Sequence, residues 1–311
     1  MRCEIVMTRN TDSLIAQISR LKTEKNAVIL AHYYQTGDIQ DTADFVGDSF
    51  ALSRQAKDTG ADVIVFCGVL FMAESAKILS PQKTVLLPVM DAGCPMADMV
   101  TPEDVKALRA RHPGAAVVCY VNSSSAVKAV SDVCVTSSNA VKIVKALKGK
   151  QIIFVPDQNL GRYVASQAPE KEVILHSGYC PVHHNLTARE ADNARAAHPA
   201  AALLAHPECT EAVLNKADFI GSTGQILRYA GQSSKKEFII ATEKGILHEL
   251  GKNNPGKSFY PLTPELTCAD MKKTRLSDVR DALLNGRHRI ELDEDVMNRA
   301  RRCLDRMLEL A

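Results

Sequence analysis

Three cysteines recur along the chain at nearly equal spacing, each in a polar loop. Cys94 lies in DAGCPM, Cys180 in SGYCPVHH and Cys268 in ELTCADMKK, so they are 86 and 88 residues apart. A lone buried cysteine usually behaves as a small hydrophobic residue. Three thiolates related by repetition can instead hold a metal ion or cluster and leave one coordination position open, as catalytic metal centres do.

Each repeat also carries two polar residues, two positions apart, at the end of an apolar run. These pairs are His32 with Tyr34, Tyr120 with Asn122, and His206 with Glu208. Side chains two positions apart in an extended strand point in the same direction, so each pair is expected to face one cavity. Imidazole, phenol and carboxylate groups move protons in enzymes, which makes these pairs candidates for acid–base chemistry.

An aspartate and a hydroxyl residue follow each pair at fixed distances. The aspartates are Asp44, Asp132 and Asp218, and the hydroxyls, five residues further on, are Ser49, Ser137 and Thr223. Each hydroxyl is predicted to open a helix, whose N-terminus attracts carboxylates and phosphates through its unpaired N–H groups. A single hydroxyl there usually only caps its helix, whereas repetition at matched positions favours a site for an anionic substrate.

The remaining cysteines and histidines have simpler interpretations. Cys209 and Cys134 compete as metal ligands, although neither matches a cysteine in another repeat. The cysteines interpreted as core residues, because their surroundings are apolar, are Cys67, Cys119 and Cys303. The histidines interpreted as structural, because they stand outside the repeated pairs, are His183, His184 and His248.

The elements that must position these residues also recur in order. Amphipathic helices are predicted to begin at Thr11, Thr101 and Thr187, each with acidic residues close behind. Three short apolar runs per repeat follow as strands, the first being NAVILAH, AAVVCYV and AAALLAH. Continuous apolar runs of this length are typical of parallel strands covered on both faces.

Strands that alternate with helices predict an α/β fold. Because every landmark recurs, we expect three αβα sandwich domains with short parallel sheets, related by pseudo-threefold symmetry, with the active site at the central axis. The expected domains are 1–100, 101–186 and 187–311. The tail from Leu276 to Ala311 is predicted to form two amphipathic helices, which are able to pack across a domain boundary.

Composition argues against several functional classes. The 311 residues carry a formal net charge of +2, no Trp and no basic run, so nucleic acid is not expected as a partner. The longest nearly apolar run, 63–73, is too short to span a bilayer, and no signal peptide is seen, so we expect no membrane partner and a cytoplasmic location. The nine cysteines include no closely spaced pair, so any metal site must combine distant cysteines.

Eight motifs between residues 26 and 273 resemble those of the quinolinate synthase A family: NAVILAHYYQ, FCGVLFMAESAKIL, LPVMDAGCPMAD, YVNSSSAVKAVSDVCVTSSNA, FVPDQNLG, HPEC, ADFIGST and ATEKGILHEL. The resemblance implies a [4Fe–4S] cluster with Cys94, Cys180 and Cys268 as ligands and one open iron that acts as a Lewis acid. It implies an enzyme of transferase or dehydratase type that condenses iminoaspartate (iminosuccinate) with dihydroxyacetone phosphate, giving quinolinate, phosphate and water in de novo NAD biosynthesis. It also implies a functional link to an aspartate-oxidising enzyme that supplies iminoaspartate.

The resemblance implies roles for single residues as well. Substrate contacts fall on His32, Ser49, Tyr120, Val121, Asn122, Ser137, His206, Pro207, Glu208 and Thr223. Catalytic roles fall on Tyr34, Tyr120, His206 and Glu208, with Tyr34 and Glu208 matching the proposed proton-transfer residues. Some family members carry CxxCxxC around the last ligand, whereas this chain has only Cys268 there.

Two other classes of function compete with this enzyme. An iron–sulfur sensor or electron carrier on the same fold would use the cysteines but leave the repeated polar pairs and hydroxyls without a role. A structural zinc protein would need a fourth ligand at matched spacing, which the repeats do not offer.

Overall fold

The computed structural model describes the backbone of residues 2–311 and the side chains of residues 12–311. By compactness the chain divides into two units. The first unit contains Met1–Gly93 and Ala269–Leu292. The second unit contains Cys94–Cys268 and Asp293–Ala311, and therefore holds all three repeated cysteines.

Three parallel four-stranded sheets with one common strand order form the frame of the described chain. In the first unit the order is β2-β1-β3-β4, formed by β1 (Ala27–His32), β2 (Phe45–Gly47), β3 (Val63–Cys67) and β4 (Thr84–Leu86). In the second unit one sheet has the order β6-β5-β7-β8, formed by β5 (Ala116–Tyr120), β6 (Val133–Val135), β7 (Gln151–Val155) and β8 (Glu172–Leu175). The other sheet of that unit has the order β10-β9-β11-β12, formed by β9 (Ala202–Ala205), β10 (Phe219–Ile220), β11 (Glu237–Ala241) and β12 (Ser258–Pro261).

The prediction of an α/β fold with three short parallel sheets is confirmed. The edge strands β2, β6 and β10 were not predicted, because two or three residues are too few to show a pattern. The edge strands pair with the ends of the first strands, as in Tyr120 opposite Val135 and Ala205 opposite Ile220.

Helices connect the strands in every repeat. The first unit contains α1 (Arg2–Glu24), α2 (Gly37–Thr42), α3 (Ser49–Asp58), α4 (Leu70–Leu79) and α14 (Leu276–Asn285). The second repeat contains α5 (Pro102–Arg111), α6 (Ser125–Ala129), α7 (Ala140–Ala146), α8 (Gln158–Gln167) and α9 (Pro181–His184). The third repeat contains α10 (Ala188–Ala197), α11 (Glu211–Leu214), α12 (Thr223–Gln232) and α13 (Ile246–Asn253), and α15 (Glu294–Leu310) completes the second unit.

The predicted helix starts at Thr101 and Thr187 are confirmed, and the one at Thr11 is wrong. Thr101 and Thr187 form capping boxes with the acids three residues later, which satisfy the first backbone N–H groups of α5 and α10. The backbone of α1 is already helical from Arg2, and the side chain of Thr11 lies outside the described residues.

The three repeated aspartates have a structural role. Each carboxylate accepts a backbone N–H of the first strand at 2.7 to 2.8 Å: Asp44 from Ile29, Asp132 from Val117 and Asp218 from Leu203. A basic residue on the preceding helix pairs with the same carboxylate, namely Lys22, Arg109 and Arg195, respectively. These contacts tie the edge connection of each sheet to its first strand.

The two tail helices belong to different units. In the first unit Leu276, Val279 and Leu283 of α14 join the buried cluster around Ile18. In the second unit α15 packs against α6 and β6. The domain boundaries near residues 100 and 186 and the threefold arrangement stay predictions. Within residues 2–311, none of the helices combines the length and the apolar character that crossing a bilayer requires.

Candidate active site

The same tight turn follows the first strand in the first and third repeats. Beyond β9 the N–H of Glu208 donates to Nδ1 of His206 at 3.3 Å. In the first unit the N–H of Tyr34 donates to Nδ1 of His32 at 3.1 Å. Because Nδ1 accepts in both rings, Nε2 carries the hydrogen of each neutral imidazole. Both histidines therefore offer a hydrogen-bond donor at Nε2.

Glu208 is a buried carboxylate held in its ionised form. His183 Nδ1 lies 2.8 Å from its Oε2 atom, and the Tyr120 side chain hydrogen-bonds to the same carboxylate. Burial alone raises the pKa of Glu208, but His206, His183 and the hydrogen bonds from His183 and Tyr120 lower it to about 2. Hydrogen bonds to the charged form favour that form, so Glu208 stays negative at neutral pH.

His206 is kept neutral beside this carboxylate. Burial lowers the pKa of His206 to about 3 and outweighs the attraction of Glu208. His206 Nε2 lies 3.1 Å from Oγ of Ser137, so two of the predicted substrate-contact residues meet directly. A neutral donor beside a hydroxyl can hold an oxygen of an anionic substrate without carrying a net charge itself.

The sequence-based interpretation missed His183. Its ring stacks on that of His206 with the centroids 4.8 Å apart, and Nε2 lies 2.8 Å from Oγ1 of Thr242. The ligand atoms of Cys180, His183 and Glu208 lie within 4.8 Å of one another. The available signal was that His183 lies three residues after Cys180, one helical turn away. His184, by contrast, lies 3.0 Å from Nδ2 of Asn159.

The segment Tyr120–Val121–Asn122 continues the end of β5 as predicted. Tyr120 is 4% exposed, and the N–H of Val121 bonds to the carbonyl of Val135. Oδ1 of Asn122 is buried and has no hydrogen-bond partner among residues 2–311. A buried polar atom without a protein partner is costly, so this acceptor is open to an ordered water or a ligand.

The hydroxyl residues do not cap their helices. Ser222 caps α12 by accepting the N–H of Gln225, and Thr223 is the first helical residue. In the first unit Asp48 caps α3, and Ser49 is its first residue. The buried Thr223 therefore adds its hydroxyl to an N-terminus that is already capped.

The prediction that Ser137 opens a helix is wrong. The backbone N–H of Thr136 donates to Oδ1 of Asn139 at 2.7 Å, which forms a turn, and α7 begins only at Ala140. Ser137 lies in that turn, where its hydroxyl meets His206 as described above.

Cys94 lies within electrostatic range of both Cys180 and Cys268. Burial raises the pKa of Cys94 to about 12, with the nearby Cys268 and Glu208 adding to the rise and the N–H groups of Ala97 and Met96 opposing it. Burial, Glu208 and Cys94 likewise raise the pKa of Cys180. Among the described cysteines none forms a disulfide, and these three are half-buried.

These thiols fit an iron–sulfur cluster better than they fit catalysis as free nucleophiles. Raised pKa values keep free thiols protonated and unreactive, whereas a bound metal displaces the proton. Backbone N–H groups, those of Ala97 and Met96 at Cys94 and that of His183 at Cys180, already point at two of the sulfurs. Hydrogen bonds to the sulfurs are a normal part of iron–sulfur sites.

The competing cysteines are buried in the protein interior. Cys209 is fully buried in a hydrophobic cluster, and its Sγ bonds to the carbonyl of Ala241. Cys134 lies opposite Cys119 across β5 and β6, and its Sγ is 3.1 Å from that of Cys303.

A comparison with protein families decides the assignment. The sequence model of the quinolinate synthetase A protein family matches residues 16–309. The chain belongs to this family. Three relatives named quinolinate synthase support this family assignment. The one from Alkaliphilus metalliredigens is 54% identical over 301 residues, covering 97% of this chain and 99% of the relative. The one from Caldicellulosiruptor saccharolyticus is 55% identical over 295 residues, covering 95% of this chain and 97% of the relative. The one from Methanoregula boonei is 52% identical over 301 residues, covering 97% of this chain and 99% of the relative.

Membership of the quinolinate synthetase A family confirms the resemblance given by the motifs. The second unit brings together eight of the expected site residues: Cys94, Cys180, Cys268, Tyr120, Ser137, His206, Pro207 and Glu208. Three further expected site residues lie in the first unit. His32 is the last residue of β1, Tyr34 lies two residues beyond it, and Ser49 is the first residue of α3. Their roles, and the identity of the metal centre, stay predictions.

Proposed function

We propose that the chain is a quinolinate synthase that condenses iminoaspartate with dihydroxyacetone phosphate and releases quinolinate, phosphate and water. The observation that carries the proposal is the group of the half-buried Cys180 with the buried His183 and Glu208, in which an ionised carboxylate adjoins a thiol suited to iron. Neither a structural metal site nor a simple electron carrier requires such a carboxylate with its own proton donors.

Cys94, Cys180 and Cys268 are proposed to hold a [4Fe–4S] cluster with one iron left without a protein ligand. When bound, that iron would supply a Lewis acid for a leaving oxygen of the substrate. The support comes from three thiols in one unit, with Cys94 in electrostatic range of the other two, and from the backbone donors at the sulfurs of Cys94 and Cys180.

Substrate anions are proposed to bind to neutral donors. Nε2–H of His206 and the hydroxyl of Ser137 offer hydrogen bonds in the second unit, and the side-chain NH₂ group of Asn122 is a further neutral donor. Thr223 adds a hydroxyl at the N-terminus of the ten-residue helix α12, where negative charge is favoured. His32 and Ser49 are proposed as the equivalent donors of the first unit.

Proton transfer is assigned to Glu208 and Tyr34. In the free enzyme Glu208 is a weak base, because two donors hold its carboxylate. A substrate hydroxyl or amine that takes the place of the Tyr120 hydroxyl directs its own proton at the carboxylate, which positions Glu208 to accept that proton during the reaction. Tyr34 is proposed to donate and accept protons during tautomerisation and loss of water, and Tyr120 and His206 to assist.

Anaerobic reconstitution with iron and sulfide, followed by an assay of quinolinate and phosphate, tests the function directly. The expected result is a visible absorption typical of an iron–sulfur protein and equal amounts of the two products. Cluster binding without either product would instead indicate a sensor or electron carrier. Binding of zinc in preference to iron and sulfide would indicate a structural metal site.

We also propose that the enzyme acts in the cytoplasm in de novo NAD biosynthesis. An aspartate-oxidising enzyme would have to supply its imine substrate, because imines hydrolyse rapidly in water.

A further inference from the structure

Two buried carboxylates, Asp157 and Glu243, occupy equivalent positions in the second and third repeats. β7 ends at Val155 and β11 ends at Ala241, so each acid lies two residues beyond the second strand of its sheet. Both side chains are fully buried. Neither residue belongs to the repeated polar pairs or to the cysteine loops.

The two carboxylate oxygens of Asp157 accept hydrogen bonds from a helix N-terminus and from a cysteine. Oδ1 accepts the N–H of Leu160 at 2.7 Å and thereby caps α8. Oδ2 accepts the backbone N–H of Cys180 at 3.1 Å. One carboxylate thus ties the start of a helix to the loop of an expected iron ligand.

The two carboxylate oxygens of Glu243 likewise accept hydrogen bonds from two different backbone N–H groups. Oε2 accepts the N–H of Gly245, directly before α13, at 2.6 Å. Oε1 accepts the backbone N–H of Cys268 at 3.3 Å. Asp157 needs only one oxygen to cap α8, and Glu243 needs only one for its bond to Gly245, so these local bonds do not explain why both acids also reach a cysteine.

The first repeat lacks this arrangement. The equivalent position, two residues after β3, is Val69, which has no polar side chain. The sulfur of Cys94 receives the N–H groups of Ala97 and Met96, just as the sulfur of Cys180 receives that of His183. What distinguishes Cys180 and Cys268 is therefore the carboxylate at their own backbone N–H.

We propose that Asp157 and Glu243 are positioning residues that hold Cys180 and Cys268 in the orientation in which they bind iron. The inference rests on the proposed function, since it concerns the ligands of the same cluster. An acceptor at the backbone N–H fixes the loop from which the cysteine side chain extends. Groups that orient metal ligands in this way typically change metal affinity about 10- to 100-fold when they are replaced.

Asp157→Ser separates positioning from capping. Serine is a good N-cap, so it keeps the bond to Leu160, but its side chain is too short to span both partners. In the anaerobically reconstituted protein we expect iron loss to an excess of chelator to be about 10- to 100-fold faster than in the wild type. The electron paramagnetic resonance spectrum of the reduced cluster should also change, while the melting temperature of the metal-free protein stays close to that of the wild type.

Glu243→Gln is the second, independent variant, since one end of the amide cannot accept an N–H and one of the two bonds must be lost. Asp218→Asn is the matched control, because Asp218 also binds a backbone N–H, that of Leu203, but touches no cysteine. The control should lose iron at the wild-type rate even if its melting temperature falls.

Wild-type rates of iron loss and an unchanged spectrum in both Asp157→Ser and Glu243→Gln would overturn the inference while leaving the proposed function intact. Equal acceleration in Asp218→Asn would also overturn it, because the effect would then follow from general destabilisation. A wild-type protein that takes up no iron and sulfide would instead overturn the proposed function, and this inference with it.

Discussion

The substitution Glu208→Gln tests whether the hydrogen bonds around the Glu208 carboxylate hold that carboxylate ionised. In the folded chain the pKa of Glu208 is about 2, against an ordinary value of 4.5. Each pKa unit corresponds to about 1.4 kcal/mol, so the ionised carboxylate contributes about 3 kcal/mol to the free energy of unfolding at neutral pH. The side chain is only 4% exposed, so solvent does not screen this contribution appreciably.

The direction of the pH dependence follows from the lower pKa in the folded state. The contribution is fully present above the unfolded-state pKa of 4.5 and is lost as the pH falls through the folded-state pKa of about 2. Glutamine cannot ionise, so the variant lacks this contribution at every pH. The stability difference between wild type and Glu208→Gln should therefore shrink by about 2 kcal/mol between about pH 6 and about pH 3.

Urea unfolding of the metal-free proteins, followed by circular dichroism, measures this difference. Glu211→Gln on the exposed face of α11 is the control, and its stability should run parallel to that of the wild type. A stability gap between wild type and Glu208→Gln that is the same at both pH values would refute the assignment of an ionised Glu208 held by His183 and Tyr120.

Three further predictions concern the loaded enzyme. Replacing any one of Cys94, Cys180 and Cys268 by Ala should abolish visible absorption and turnover together. Ala at Cys67, Cys119, Cys134, Cys209 or Cys303 should leave the cluster in place. If Cys268→Ala kept the cluster and Cys209→Ala lost it, the ligand assignment would be contradicted. Tyr34→Phe should keep the cluster and substrate binding while turnover falls by about 10² to 10⁴; near-normal turnover would show that the phenol only lines the pocket. Ser137→Ala should raise KM by about tenfold with little change in kcat, because one hydrogen bond to a charged group is worth about 1.5 kcal/mol or more; an unchanged KM would remove Ser137 from the substrate contacts.

The sequence by itself determined the repeat and the order of its elements. Continuous apolar runs and capped helix starts predict the three parallel sheets, because local patterning and local hydrogen bonds set these elements. The spacing of Cys94, Cys180 and Cys268 also singled out the three thiols, since repetition distinguishes them from the buried Cys209 and Cys134.

Tertiary structure decided which polar side chains meet. His183 looked like an ordinary histidine, and only the packing of α9 against the turn after β9 brings it to Glu208 and His206. Asp157 and Glu243 gave no signal, because their partners at Cys180 and Cys268 lie 23 and 25 residues away.

The start of α7 depends on a local side-chain hydrogen bond that the hydrophobic pattern of the sequence does not reveal. The side chain of Asn139 accepts the N–H of Thr136, so the chain forms a turn at Ser137 where the hydrophobic pattern predicted a helix. The three repeated aspartates, which the sequence showed only as regularly spaced landmarks, serve the fold. A carboxylate near unpaired strand N–H groups binds them wherever folding brings the two together, as Asp218 does at Leu203.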